Sequence, residues 1–180
     1  MTLDVEARRE DWLRHVKDLV TQSYEGASER SAREDVFLRA FELTTPVATR
    51  VLEAVDRLYL GRTATVSTSP PAPDGDGGLL GSWDTTWPAI ERARSRFTGE
   101  PLLPVQLFAM FPRGFTHPHL ALFDLGTPRR SVASWPMQVT SPADAERQEL
   151  VLWGIAEAEV HERTFVGDLN WRLLSLDGRP

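Results

Sequence analysis

The chain has 180 residues, 41% hydrophobic and 26% charged, with a formal net charge of −6. That length fits one domain with a real core, and the acidic balance argues against a general nucleic-acid binder. Cysteine is absent, which excludes disulfides, thiolate nucleophiles and thiolate-held metals. Of the 20 basic residues only Lys17 is a lysine. Asp4, Glu6, Glu10 and Asp11 interrupt the start of the chain, which reads as neither signal nor transit peptide. No apolar run approaches the ~20 residues of a membrane span, so the expectation is a soluble, cytoplasmic protein.

In chain order, the first third predicts three helices. Val5, Trp12, Val16, Leu19 and Val20 share one face at helical spacing, as the expected buried side of the first. Ser31 and Glu34 have capping-box spacing ahead of Val36, Phe37, Ala40 and Phe41. Thr45-Pro46 predicts a fresh start, with Val47, Val51, Val55, Leu58 and Tyr59 buried and Gly61 as the stop. The helical part is thus 1–61, and a sheet-rich part of the same domain follows over 62–180.

β-branched Thr63 to Thr68 and Leu79 to Thr86 predict strands, joined by a proline- and glycine-rich surface loop over 69–78. No Gly-Lys-Ser/Thr follows that loop, which removes a phosphate-binding reading. Trp87-Pro88 predicts a short helix with Ile90, Ala93 and Phe97 inward. Val105 to Phe111 and His119 to Phe123 are apolar on both faces, as expected of central strands covered on both sides. Phe111-Pro112-Arg113-Gly114 has turn chemistry and joins them as a hairpin. Ser131 to Thr140 reads as a third strand interrupted by Pro136, which fits an edge or a bulge. Ser141-Pro142-Ala143-Asp144 opens a long helix to about Arg163, and Trp171 to Leu176 predicts a closing strand. The expected fold is α+β: three leading helices, an antiparallel sheet of about five strands and a late long helix.

The chemistry is concentrated in His117-Pro118-His119, since the chain has only four histidines. Two residues apart on a strand, both imidazoles can reach one metal, in the manner of two-histidine-one-carboxylate sites. Glu157 and His161 are spaced i, i+4 but fall on the polar side of their helix. Glu159 falls inside the apolar arc, where a carboxylate must be paired, hydrogen-bonded or protonated. It is the expected third ligand or acid–base group, unless Arg163 takes it up.

Arg113 at the hairpin tip would orient an anionic substrate. Trp83, Trp87 and Trp135 are candidates to line a pocket for a flat ligand. No nucleophile elbow, His-Glu-x-x-His or dinucleotide glycine motif is present. Two readings follow. One is a small metal-dependent enzyme acting on a small organic molecule, with one divalent iron or zinc ion on His117, His119 and Glu159. The other is a non-catalytic ligand-binding or partner protein using its tryptophan-rich surface, whose first helices dock a second copy or another subunit.

Overall fold

The computed structural model describes residues 5–123 and 131–167, with side chains from Arg9 onward. The predicted closing strand Trp171 to Leu176 lies outside the described residues. The fold is α+β, with helices α1 (Val5–Thr21), α2 (Arg30–Val55), α3 (Pro88–Arg92), α4 (Pro142–Arg147) and α5 (Glu149–Val166). Strands β1 (Thr65–Pro73), β2 (Leu79–Thr86), β3 (Val105–Phe111), β4 (His119–Phe123) and β5 (Ser131–Pro136) form one antiparallel sheet in sequential order.

Two helices lead the chain, not three, because α2 runs straight through Pro46. Its buried side chains Phe37, Ala40, Phe41, Thr44, Val47, Ala48, Val51, Leu52 and Val55 recur every three or four residues on both sides of the proline. Burying that stripe outweighs the ~3 kcal/mol that an internal proline costs a helix. The Thr44 and Thr45 hydroxyls donate to the Ala40 and Phe41 carbonyls at 2.8 and 2.9 Å, beside the bond that Pro46 cannot make. The helix already starts at Arg30, and its N-cap Glu29 makes no capping bond. Glu34 instead accepts from Arg30 at 2.6 Å, so the expected Ser31 capping box does not form. Beyond Val55 the helix widens into one π turn, Asp56–Leu60, and stops at Gly61 with φ 72°.

β3 alternates strictly: Val105, Leu107, Ala109 and Phe111 are buried, while Gln106, Phe108 and Met110 are half-buried. For β3 the expectation of two covered faces is corrected to one core face, while β4 buries the adjacent Leu120 and Ala121. That core joins α2 and α5 residues such as Leu52, Leu152 and Ile155 to Leu107 and Leu120. On the same face Trp83 stacks on Phe41, with ring centroids 4.4 Å apart and planes within 8°. Gly81 makes room for that stack, since a Cβ there would lie 2.7 Å from the Phe41 ring.

The expected loop over 69–78 is shorter. β1 continues to Pro73, tolerating its prolines as an edge strand whose register shifts between Ser69 and Ala72. Asp74 closes the turn by accepting from the Asp76 and Gly78 amides. α3 buries Ile90 and Ala93 as expected, but Phe97 is exposed. β5 ends at Pro136, sooner than the expected Thr140. α4 opens on a true capping box between Ser141 and Asp144, and Gln148 separates it from α5.

The largest departure is α1. Trp12, Leu13, Val16, Leu19 and Val20 are all exposed, while His15 and Asp18 are buried. Among its described side chains none is a buried hydrophobic. The helix lies polar side inward, and Lys17 sits on its exposed surface.

Gly81→Ala is expected to cost about 1–3 kcal/mol by forcing apart the Phe41–Trp83 stack. Urea denaturation checks this, and adding Phe41→Leu recovers part of the loss.

Candidate functional site

The polar underside of α1 meets the hairpin mouth that carries the histidine pair. His117 is buried, at 1% exposure, and its ring centroid lies 4.7 Å from that of His15 on α1. His119, on β4 between Met110 of β3 and Pro136 of β5, lies 6.4 Å from His15 by the same measure. His117 Nδ1 and the Thr116 hydroxyl are hydrogen-bonded at 2.6 Å, and its Nε2 is 4.0 Å from an Asp18 oxygen. Nδ1 of His15, Nε2 of His117 and Nδ1 of His119 are buried with no hydrogen-bond partner.

Burial pushes the His117 pKa down to about 4, and the neighbouring His15 adds to this while Asp18 opposes it. His15 and His119 are also lowered, each chiefly by burial. The trio is therefore neutral at physiological pH.

Around it runs a network of charges joining α1 to α4 and to the segment between β5 and α4. Arg147 donates to both Asp11 oxygens at 2.9 Å and also binds Asp144. Arg14 binds Glu25 and reaches Asp144 at 3.3 Å. Asp144 accepts in addition from the Thr140 amide and hydroxyl, and its pKa falls to about 2. Those hydrogen bonds and Arg14 outweigh the upward push of burial on Asp144. Asp18 accepts from the Ser23 hydroxyl, the Glu25 amide and Gln138 Nε2.

Between α1, the end of β5 and the α4–α5 junction a cleft opens, with a free volume of about 150 Å³. Its walls are Asp11, Trp12, His15, Trp135, Pro136, Gln138, Arg147, Gln148 and Val151. Two indoles, Pro136 and Val151 give it apolar surface; the other five residues supply hydrogen-bonding groups.

The predicted site residues are divided among three places. His117 and His119 stand together, with His15 as a third imidazole that sequence reasoning missed. The signal for His15 lay in Asp11, Arg14 and Asp18, a polar stripe at helical spacing on the same side. Glu159 is elsewhere. It is 1% exposed, binds Arg163 at 2.7 Å and accepts from the Gln106 amide at 3.2 Å. Arg163 also donates to the Leu103 and Pro104 carbonyls.

Burial raises the Glu159 pKa to about 7 against the pull of Arg163. This pair ties α5 to the start of β3, and Glu159 does not complete a ligand set with the histidines. Among the described residues no group of three or more His, Cys, Asp or Glu side chains is placed to hold a metal ion.

Arg113 is exposed and lies over Gly77 of the β1–β2 turn. Trp83 and Trp87 are buried in the core, so the expected three-tryptophan pocket does not form. Trp135 alone of the three lines the cleft, with Trp12 as the other indole. Glu157 and His161 are exposed. Among the described residues no helix is long and apolar enough to cross a membrane. Compared with protein-family models, curated proteins and solved structures, the chain matches none.

Two outcomes follow from these pairs. A histidine held below its unfolded pKa favours the unfolded chain as protons are added. Stability is therefore expected to fall as pH drops from 6.5 to about 4, by about 3 kcal/mol for His117. Urea unfolding across that range reads it, and His117→Gln flattens the dependence. Glu159→Ala leaves Arg163 charged and buried without its carboxylate, at a cost of about 3–5 kcal/mol in the same assay.

Proposed function

We propose that the protein is a ligand-binding protein that takes a small polar molecule with a flat apolar part into the cleft beneath α1. One observation carries this reading: two indoles and an arginine line a recess between three separate segments of the chain. Its volume of about 150 Å³ lies below the ~300–1,000 Å³ of pockets for drug-sized molecules, which points to a small occupant. The indoles of Trp12 and Trp135 offer faces for stacking, while Gln148 offers hydrogen-bonding groups at the wall.

The composition of the walls favours recognition over bond-making. They contain no serine, threonine or cysteine, and Asp11, the one carboxylate, is engaged at both oxygens by Arg147. The neutral His15 contributes shape and polarity rather than charge.

The test is a titration followed by intrinsic tryptophan fluorescence and melting temperature, using indole, benzamide, benzylamine and benzoate as probes. A saturable response to at least one probe is expected, weakened about tenfold or more by Trp135→Ala, equivalent to ~1.4 kcal/mol. No saturable response to any of the four, in protein that is folded by circular dichroism, overturns the proposal.

A further inference from the structure

We propose that α1 is a hinged lid over the cleft, latched by ion pairs and not by apolar packing. The inward residues of α1 are Asp11, Arg14, His15 and Asp18, and none of its described side chains belongs to the hydrophobic core. Lifting it therefore returns charged and polar groups to water and sacrifices little of the apolar burial that holds α2 and α5 in place. The outward Val16, Leu19 and Val20 are exposed in the closed position already, and Trp12 at the cleft edge is exposed as well.

The latch is a set of ion pairs. Arg14 to Glu25 and Asp144, and Arg147 to Asp11, join the helix to the body. The two arginine side chains are 30% and 28% exposed, so water and salt reach these pairs. Further polar ties are Gln138, the Ser23 hydroxyl and the Glu25 amide donating to Asp18, and Arg14 donating to the Thr140 hydroxyl at 3.4 Å.

The joint follows the last residue of α1, Thr21. Gln22 and Glu25 have φ of 54° and 48°, and Gly26 has 82°, so the chain reverses sharply where α1 ends. Tyr24 is seated immediately behind Gln22. It is fully buried, and its hydroxyl donates to the Met137 carbonyl at 2.7 Å. A helix that ends on a bend in front of a fixed tyrosine pivots there without disturbing the sheet. Since Asp11, Trp12 and His15 are one wall of the cleft, the pivot opens it.

That the lid admits a ligand rests on the cleft being the binding site proposed above; its opening is measured without any ligand. Once released, a 17-residue helix is marginal in water and frays, so amide hydrogen exchange reports the release. Exchange on the full chain, followed peptide by peptide, compares about 50 mM with about 1 M NaCl at pH 7.5.

Residues 9–21 are expected to exchange several-fold faster at high salt, and about tenfold faster in Arg14→Met, while β3 and α5 keep their protection. The salt comparison on the native chain stands even where Arg14→Met does not fold. Salt-independent exchange of α1 overturns the lid. So does exchange of α1 in step with β3, which means α1 opens only when the whole domain does. A lid that opens as expected in protein that binds none of the four probes leaves the hinge standing and removes the ligand reading alone.

Discussion

The fold depends on one packing constraint: a single apolar stripe on α2 lies against one face of the sheet and continues across Pro46. Had the helix broken at the proline, Val47 to Val55 would point away from Trp83 and Leu107, and the core would split in two. Burial along the whole stripe keeps the helix whole at the expense of one backbone bond. Everything near the site takes its position from this. The sheet carries the β3–β4 hairpin mouth and the end of β5, and α5, packed beside α2, brings the α4–α5 junction to the same corner.

At that corner the physics changes from apolar burial to charge. Asp144 is the shared element: its carboxylate caps α4, holds the Thr140 segment and receives Arg14 and Arg147. One side chain thus couples the start of a helix, a strand exit and the docking of α1. The histidines sit beside this network in their neutral form, each with a ring nitrogen buried and unpaired.

Where pattern and packing agree, the sequence was legible residue by residue. β3 and β4 fall where their apolar runs begin and end, and the Ser141–Asp144 cap is the one its spacing predicts. The failures have separate causes. Pro46 was read as punctuation because local propensity cannot weigh a tertiary stripe. Periodicity found the two sides of α1 correctly, yet it cannot say which side touches the protein, and here the polar side does. The misfit of Glu159 was legible, and so was its alternative partner Arg163; only distance decides between an ion pair and a ligand set. Trp83 and Trp87 carry no sequence mark separating a core indole from a pocket indole.

Lys17 gives α1 a property of its own. It is the only lysine in the chain and lies exposed on that helix, while every other basic side chain is a guanidinium. Chemistry or enzymes that act on a side-chain amine, acylation and methylation among them, therefore have one address on this protein. Such a change would alter the charge or bulk of the helix over the cleft and leave the basic groups of the latch and the core as they are.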